Sequence, residues 1–397
     1  MVTFEPGEEI QLMEQTLGEF VERELRPLEE RNRDLLVPDH NRLRSDGRLT
    51  DDALALVRKV RRLSGDVGFY GADMPESVGG NGITTVGLVH LVSRLYSHGY
   101  GLNIHAIESA PGPHPNFLTL NDDLVGEYVE PAVRGEKSAC FALTESSSGS
   151  DATDMATTAE RDGDEWVIDG TKMWITNSPY ADFGQVFAVT DPDASGADGI
   201  SAFMFDTDNP GFEVRRITQT MLNDGMQAEV AFDGCRVPDA QLIGERGEGF
   251  HLAMGFLNKG RVRIAARCAG LLEYLQEQVV EYANERESWG VPIGKRQHVR
   301  RMAAEIATWR ATVENLVLKA AWLIDQGADP AEHAAIAKYY ATEKLYEAAD
   351  NAVQIFGANG LSHEYPIQRI FRFARVMRIP EGSSEIQLET IASEVGL

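Results

Sequence analysis

The spacing of the apolar residues changes twice along this chain of 397 residues. Residues 8 to about 135 place apolar side chains at helical spacing, as in EEIQLMEQTLGEFVERELRPLEE, and TDDALALVRKVRRLSGDVGF begins with a threonine suited to cap a helix. From about residue 136 the runs are short, alternating and rich in β-branched and aromatic residues, as in EWVIDGTKMWIT and AEVAFDGCRVP. Helical spacing returns in the last third, in two long stretches that Gly327 and Gly357 close.

This order of patterns predicts an α+β multidomain protein. We expect an N-terminal helical domain at residues 1–135, a central antiparallel β domain at 136–245 and a C-terminal helical bundle domain at 246–397. The pairs Asp162–Gly163 and Asp169–Gly170 are predicted to form hairpin turns within the β domain. The chain has no internal repeat and no glycine pattern typical of a Rossmann or phosphate-binding loop.

The charge is strongly acidic. The formal net charge is −25 and the pI is near 4.7, which excludes a nucleic-acid partner because no basic surface could neutralise phosphates in such a field. Only 8 of the 37 basic residues are lysine. An acidic surface with few lysines is typical of a salt-adapted, halophilic source, since dense carboxylates repel one another unless salt screens them. Simple solubility is the alternative explanation.

Several features predict a cytoplasmic protein without a membrane partner. No apolar run approaches the roughly 20 residues that span a bilayer, and the N-terminal segment MVTFEPGEEIQLMEQ lacks the basic and then apolar order of a signal peptide. Cys140, Cys235 and Cys268 are too far apart in sequence to form a metal or redox motif. We therefore predict no metal site and a reducing environment.

The segment RIPEGSSEIQ, residues 378–387, places an acid on a tight bend. Pro380 ends the preceding helix, and Ser384 and Gln387 have the spacing of a capping box at the start of a new one. Glu381 then lies just outside the helix start, and Glu385 lies in the first turn. Without further information, Glu381 would be interpreted as a solvated loop acid, because glutamate is usually exposed.

Five stretches together resemble the acyl-CoA dehydrogenases. They are ALTESSSGSDATDM, WVIDGTKMWITN, RESWGVPIGKRQ, AVQIFGANGLSHEYP and IPEGSSEIQ, and they occur in the family's order and spacing. The likeness extends to MPESVGGNGIT in the N-terminal third. The resemblance implies a helical domain, a β domain and a C-terminal four-helix bundle, with FAD as cofactor. It also implies α,β-dehydrogenation of an acyl-CoA thioester, with electrons passed to an electron-transfer flavoprotein.

By resemblance, one group of residues borders the flavin within its own subunit. Its members are Phe141, Leu143, Thr144, Gly149, Ser150, Trp174 and Thr176, with Ser150 also touching CoA. On the residues alone, the run Ser146–Ser150 is an ordinary turn and Trp174 is a core aromatic residue. Strand alternation places Trp174 and Thr176 on the same face, where the family puts the threonine hydroxyl near flavin N5.

A second group is expected to contact FAD, and by resemblance Arg286 and Gln297 reach the FAD bound mainly by a neighbouring subunit. The family is typically a homotetramer built as a dimer of dimers, so the resemblance implies one here. Its members are Arg286, Ser288, Trp289, Gln297, Gln354 and Ala358, with Ser383 and Glu385 as further FAD contacts. A guanidinium suits a pyrophosphate, although Arg286 read alone is a solvated charge. Trp289 and Ala358 depart from the residues usual in the family, so the contact at Ala358 is the less secure.

The resemblance assigns Glu381 as the catalytic base. Some members place their glutamate at the position of Gly260, where this chain has no acid. Asn258, Arg261, Gly382 and Ser150 match residues that hold the substrate, although Arg261 read alone is a surface charge. The backbone N–H of Glu381 and a ribityl hydroxyl of FAD would donate to the thioester oxygen. Desolvation would raise the pKa of Glu381, whereas the nearby helix N-terminus would lower it.

The sequence gives less information about the acyl group of the substrate. Asn103, His105 and Glu108 lie on the segment expected at the pocket floor, which favours a short, branched or polar acyl group unless these side chains point elsewhere. Two alternative functions also remain at this stage. They are an acyl-CoA oxidase or flavin monooxygenase of the same fold, and a flavin-binding relative without turnover.

Overall fold

The computed structural model describes residues 6–194 and 196–397, which divide into two compact units. The helical unit comprises residues 6–33, Ile83–Ile104 and Asn258–Leu397, and the sheet unit comprises Asp34–Gly82 and His105–Leu257. No helix in the described ranges is both long enough and apolar enough to cross a membrane. The first five residues of the segment considered as a signal peptide lie outside the described part of the chain.

Twelve α-helices form in the described residues. They are α1 (Glu8–Phe20), α2 (Arg26–Arg31), α3 (Arg33–Leu36), α4 (Asp51–Asp66), α5 (Thr85–Tyr96), α6 (Asp122–Leu124), α7 (Glu130–Val133), α8 (Gly249–Glu285), α9 (Gln297–Asp325), α10 (Ala331–Phe356), α11 (Ile367–Met377) and α12 (Ser384–Glu394). The strands are β1 (Phe141–Ala142), β2 (Thr158–Asp162), β3 (Glu165–Thr176), β4 (Phe183–Val189), β5 (Ile200–Asp206), β6 (Phe212–Ile217), β7 (Gln227–Pro238), β8 (Leu242–Ile243), β9 (Glu287–Ser288) and β10 (Val291–Pro292).

The helix boundaries follow the local sequence. Thr50 and Thr84 accept hydrogen bonds from the backbone N–H groups three residues later, which caps α4 and α5. The first predicted helix is found as α1 and α2 joined by a π-helical turn at Val21–Leu25. The turn lies next to Pro27, which has no N–H with which to continue the α-helical ladder.

The helical unit buries small side chains along its long helices. α10 buries a stripe that repeats every three or four residues, and alanine supplies most of it. Such small residues allow α9 and α10 to approach closely. Gly327 and Gly357 follow α9 and α10 with φ of 67° and 61°, so the predicted helix ends are confirmed.

The sheet unit is built around an eight-stranded sheet in the order β6-β7-β3-β2-β4-β5-β8, with β1 paired to β4. β5 is buried on both faces. Its alternate residues join different hydrophobic clusters, so Ala202 and Met204 face one cluster while Phe203 and Phe205 face the other. The helix α4 packs Ala53 and Val57 with Leu49 and Tyr180 in a smaller cluster.

The predicted fold class is confirmed, with two refinements in the sheet. β1 and β2 each pair with β4 in parallel, so the sheet is mixed rather than purely antiparallel. The pair Asp162–Gly163 begins the β2–β3 hairpin as predicted. The pair Asp169–Gly170 does not turn the chain, because β3 continues through it as a bulge opposite β7. The domain boundaries at residues 135 and 245 stay a prediction.

Candidate functional site

The bend before α12 holds two successive residues in the left-handed region. Glu381 has φ of 57° and Gly382 has φ of 89°. The helix that follows is capped by Ser383, whose hydroxyl accepts from Ile386 N at 3.5 Å. The predicted capping box is therefore wrong, because Ser384 is already helical. Its hydroxyl donates instead to Glu343 Oε1 at 2.5 Å.

Side chains from three helices hold the two carbonyl groups of this bend. Arg261 Nε donates to Glu381 O at 3.2 Å, and Lys338 Nζ donates to Gly382 O at 2.6 Å. Gln387 Nε2 donates to both carbonyls, at 3.1 and 3.0 Å. Within the described residues, nothing accepts a hydrogen bond from the backbone N–H of Glu381. The bend thus leaves the backbone N–H of Glu381 unpaired beside the glutamate side chain, as it leaves those of Gly382 and Ser383.

The carboxylate of Glu381 lies against the backbone of α8 at Gly260. A Cβ atom built on Gly260 would come within 2.6 Å of Glu381 Cδ, so a side chain cannot be accommodated there without movement of Glu381. The Oε2 atom of Glu381 is buried and has no hydrogen-bond partner among the described residues. An unpartnered buried carboxylate oxygen is costly to a fold, which argues for a role outside stability.

Burial raises the pKa of Glu381 above its ordinary value, even though the cationic groups of Arg267, Lys338, Arg261 and Arg263 act in the opposite direction. Burial therefore outweighs these four cationic side chains in setting the direction of the pKa shift. A carboxylate with a raised pKa is a stronger base once it is ionised.

Arg261 is buried rather than a surface charge. Its Nη1 donates to Asn258 Oδ1 at 2.9 Å, in addition to the bond to Glu381 O. Burial lowers the pKa of Arg261, although the guanidinium still titrates far above neutrality. The structure therefore brings together four of the predicted residues, Asn258, Arg261, Glu381 and Gly382.

In the sheet unit, the loop after β1 is held against β3. Met173 N donates to Thr144 O at 2.8 Å, and Lys172 Nζ donates to Leu143 O at 3.1 Å. Lys172 also forms a buried ion pair with Glu145 at 2.9 Å. Glu145 in turn accepts from the backbone N–H groups of Ala156 and Thr157. The Lys172–Glu145 ion pair therefore fixes both ends of the loop that is predicted to border the flavin.

Trp174 lies at a bulge in β3, where its φ is 65° and the register with β7 shifts. Its side chain is 50% exposed, whereas Ile175 beside it is 2% exposed. In this chain Trp174 is therefore not a core residue. Thr176 is half-buried, and the intervening Ile175 is buried, as expected if Trp174 and Thr176 share a face.

The Ser/Gly loop presents polar groups that fit a polar ligand. Gly149 and Ser150 are exposed, whereas Ser148 is buried and its hydroxyl has no partner among the described residues. Phe141 stacks on Phe256, with ring centroids 5.1 Å apart. An aromatic face at Trp174, a half-buried hydroxyl at Thr176 and this loop together fit an isoalloxazine ring and its polar edge.

The predicted contacts to a neighbouring subunit lie at the surface of the helical unit. Arg286, Trp289 and Gln297 are exposed around the β9–β10 hairpin, and Arg296 lies over the Trp289 ring at 5.4 Å. Ser288 is half-buried and accepts from Arg296 through its carbonyl. The exposure of Arg286 is compatible with both interpretations of its side chain, as a solvated charge and as a group that contacts the cofactor of a partner subunit.

Gln354 and Ala358 lie at the end of α10, also exposed. Tyr282 links this end to the hairpin. Its ring stacks on Phe356 with centroids 4.0 Å apart, and its hydroxyl accepts from Asn359 Nδ2 at 3.1 Å. Its carbonyl accepts from Arg286 N at 2.8 Å. Ser383 is half-buried at the bend, and Glu385 is exposed in the first turn of α12.

The residues expected at the pocket floor are engaged elsewhere. Asn103 Nδ2 donates to the carbonyls of Leu95 and Gly99. His105 Nδ1 lies 2.7 Å from Glu108 Oε1, and the same carboxylate accepts from Arg61 and from Tyr70. These are internal hydrogen bonds, so the three side chains give no support for a polar acyl group.

Sequence reasoning missed Lys338 and the pair Lys172–Glu145. The signal for Lys338 was its position, because it lies on the buried stripe of α10 between Ala334 and Ala341. A lysine at a core position of a helix is rare unless the site uses it. Among the described residues, no group of His, Cys, Asp or Glu side chains is arranged to hold a metal ion.

Comparison with known proteins gives consistent matches. Family models described as "Acyl-CoA dehydrogenase, C-terminal domain" and "Acyl-CoA dehydrogenase, middle domain" match residues 247–396 and 140–235. An acyl-CoA dehydrogenase of Bacillus subtilis (strain 168) is 37% identical over 336 residues, which cover 84% of this chain and 87% of that protein. A short-chain specific mitochondrial acyl-CoA dehydrogenase of Mus musculus is 32% identical over 97% of this chain and 89% of its own.

Solved structures show the same fold. The structure of butyryl-CoA dehydrogenase from Megasphaera elsdenii superposes with a TM-score of 0.86 at 29% identity, covering 99% of this chain and 100% of that chain.

Proposed function

Since the chain belongs to the acyl-CoA dehydrogenase family, whose members are FAD-dependent oxidoreductases, we propose that it converts an acyl-CoA thioester to the trans-2-enoyl-CoA. The predicted family, enzyme class and cofactor are confirmed. The observation that carries the proposed reaction is the side chain of Glu381. It combines a buried oxygen without a partner, a pKa raised by burial and an adjacent backbone N–H without an acceptor.

Glu381 acts as the base. Its carboxylate takes the proton from the carbon α to the thioester, and the electron pair of that C–H bond becomes part of the new double bond. Charge that develops on the thioester oxygen is stabilised by the N–H of Glu381, which needs no reorganisation because the bend already holds it in place. FAD supplies the acceptor for the hydride that leaves the β carbon.

Two groups of residues are proposed for the remaining tasks. Phe141, Leu143, Thr144, Gly149, Ser150, Trp174 and Thr176 hold the flavin, while Ser150, Asn258, Arg261 and Gly382 hold the thioester and its CoA. Arg261 also fixes the base through the carbonyl of Glu381. Water is excluded from the buried Oε2 atom, which strengthens every electrostatic interaction at that point.

Arg286, Ser288, Trp289, Gln297, Gln354, Ala358, Ser383 and Glu385 are proposed to complete FAD binding, the exposed members of the group in a neighbouring copy. This assignment entails an oligomer, and the oligomer that we propose is a homotetramer. We further propose that electrons pass to an electron-transfer flavoprotein and that the enzyme works in the cytoplasm.

A short acyl chain is the substrate that we propose. The mouse relative is named for short-chain acyl-CoA and the superposed structure is a butyryl-CoA dehydrogenase. The polar residues that suggested a polar acyl group are engaged in internal hydrogen bonds, so the proposal of a short chain rests on these two similarities alone.

The test is anaerobic mixing of the FAD-loaded protein with butyryl-, isovaleryl-, octanoyl- and palmitoyl-CoA while the flavin absorbance is followed. Rapid bleaching by butyryl-CoA, and slower bleaching by palmitoyl-CoA, is expected. Oxygen consumption is measured in parallel, because turnover that consumes oxygen at the rate of flavin reduction would identify an oxidase. Flavin that stays oxidised with all four thioesters would contradict the proposed function.

A further inference from the structure

The Lys338 side chain lies directly beneath the bend that presents Glu381. Lys338 lies on α10 and is 0% exposed. The distance from its Nζ to Gly382 O is 2.6 Å. The same carbonyl accepts from Gln387, so Lys338 is not needed to satisfy it. The proposed reaction gives Lys338 no role as a ligand of substrate or flavin. The burial of a whole ammonium group beside a carbonyl that already has another donor calls for an explanation beyond satisfying that carbonyl.

We propose that Lys338 is a positioning residue for the base. By holding the carbonyl of Gly382, its ammonium group fixes the left-handed bend that places the Glu381 carboxylate against Gly260. This inference rests on the proposed function, because it concerns how the proton-abstracting group is held.

The geometry of the bend supports this role. A non-glycine residue with φ of 57° is strained, and such a conformation persists only where its surroundings impose it. Arg261 holds the carbonyl of Glu381 from α8, and Lys338 holds the next carbonyl from α10. With both carbonyls turned inward, the N–H and the carboxylate of Glu381 are left to face a substrate.

The electrostatics agree with the geometry. Burial lowers the pKa of Lys338 to about 8, while Glu381, Cys268 and Glu343 favour the ammonium form and Arg261 disfavours it. The ammonium group in turn lowers the pKa of Glu381 against the effect of burial. Loss of this cation should therefore raise the pKa of the base and move the acid limb of the pH–rate profile to higher pH.

Lys338 costs stability, which separates its role from that of a structural residue. Its folded-state pKa of about 8 lies below the ordinary 10.5, so the unfolded chain binds more protons between these values. The cost is full below pH 8 and is relieved as the pH rises toward 10.5. Replacement of Lys338 by an apolar residue of similar length should therefore leave the melting temperature at pH 7 unchanged or higher.

The experiment compares Lys338→Met with the wild type and with Lys344→Met. Lys344 lies on the same helix and pairs at the surface with Glu347, so it serves as the matched control. Flavin reduction by butyryl-CoA is measured across pH 5–9, together with FAD content, acyl-CoA affinity and the melting temperature.

We expect Lys338→Met to lower the limiting reduction rate roughly 10- to 100-fold, as small misplacements of a reacting group do. Its acid limb should move to higher pH, while its melting temperature is maintained. Lys344→Met should match the wild type in every measurement.

The outcomes distinguish this inference from the proposed function. A normal reduction rate and pH profile in Lys338→Met, with Glu381→Gln inactive, would overturn the role of Lys338 and leave the reaction intact. A wild type that no acyl-CoA reduces would overturn the reaction itself. If Lys338→Met does not fold, Lys338→Leu replaces it under the same criteria, because its side chain is also apolar and cannot donate to the carbonyl. Failure of both variants to fold would identify Lys338 as a residue required by the fold and contradict the proposal.

Discussion

The carboxylate of Glu381 occupies the space that a side chain on Gly260 would need. A Cβ atom at residue 260 would approach Glu381 Cδ to 2.6 Å, well inside van der Waals contact. The two residues are 121 positions apart in sequence. Gly260 lies on α8 and Glu381 lies on the bend before α12, yet the side chain of each restricts which residue the other position can hold. An acid at one position and a glycine at the other are therefore a matched pair.

Gly260→Ala should displace the base without unfolding the protein. The added methyl group pushes the Glu381 carboxylate away from its position, so flavin reduction by butyryl-CoA should slow roughly 10- to 100-fold. Alanine itself is the better helix former, which offsets part of the strain. Stopped-flow absorbance and FAD content are the measurements.

Gly255→Ala is the control for this change. Gly255 lies on the same helix with nothing within 4 Å of an added Cβ, so the variant should be as active as the wild type and at least as stable. Equal reduction rates in both alanine variants would mean that the contact between residues 260 and 381 has no part in catalysis.

Glu145→Gln should weaken the hold on FAD. The change removes the negative charge opposite the buried Lys172 ammonium, and breaking a buried ion pair commonly costs about 3–5 kcal/mol. The loop that follows β1 loses one of its attachments to β3, so the purified variant should contain less FAD and lose it faster on dilution. The exposed Glu160 gives the control, Glu160→Gln, which should keep its flavin. Full FAD retention in both variants would refute this view of the loop.

The structural elements that the sequence predicted correctly are those whose sequence signals are local. The cap at Thr50, the helix ends at Gly327 and Gly357 and the β2–β3 hairpin each depend on a few neighbouring residues. The bend at Glu381 was placed correctly for the same reason, although Ser383 and not Ser384 caps the helix. Two adjacent serines offer equivalent caps, and the choice is made by Glu343, which binds the second one.

The remaining misjudgements concern contacts that are distant in sequence. Asp169–Gly170 has the composition of a turn, but pairing of β3 with β7 continues past it. Glu108 resembled a pocket residue until Arg61 and Tyr70, more than thirty positions away, were found on its carboxylate. Lys338 could not be linked to Gly382 because the two residues are 44 positions apart and meet only through a tertiary contact.

The buried carboxylate of Glu108 should make the sheet unit sensitive to acid. Burial acts to raise its pKa, but the Arg61 guanidinium and the His105 ring together outweigh burial and lower the pKa to about 2. A folded-state pKa below the ordinary 4.5 means that stability is full above pH 4.5 and is lost as the pH falls toward 2. Glu108→Gln should therefore be less stable than the wild type at pH 7, by about 3–5 kcal/mol, because Arg61 stays buried without its partner.

Urea unfolding at pH 7 and pH 3.5 measures this difference. The difference in the free energy of unfolding between Glu108→Gln and the wild type should be smaller at the lower pH, because the wild-type carboxyl is then partly protonated in the unfolded state. Glu76→Gln, at an exposed glutamate of the same unit, should show no gap at either pH. A gap that is as wide at pH 3.5 as at pH 7 would exclude Glu108 as its source.

Arg286→Ala tests whether a neighbouring copy completes the FAD site. The guanidinium is exposed in one chain and is expected to reach the pyrophosphate of a partner's cofactor. The variant should hold less FAD although every residue of the loop after β1 is intact, and the control Arg31→Ala should hold the wild-type amount. Light scattering gives the oligomeric state, and a monomer that binds FAD stoichiometrically would contradict the tetramer.

The central claim is that Glu381 removes the α proton, and Glu381→Gln tests it most directly. The amide keeps the size of the side chain, the backbone N–H and the contact with Gly260, but it cannot accept the proton. A general base commonly contributes about 10²–10⁴-fold to the rate, so the variant should reduce its flavin at least 10²-fold more slowly in anaerobic single turnover.

The same measurement includes its own controls. FAD content and acyl-CoA affinity of Glu381→Gln should equal those of the wild type, and Glu389→Gln, at an exposed position of α12, should reduce its flavin normally. Slow reduction in Glu381→Gln alone is the result that we predict. Flavin reduction at the wild-type rate in Glu381→Gln would contradict the account, because Gly260 offers no second acid to take the proton.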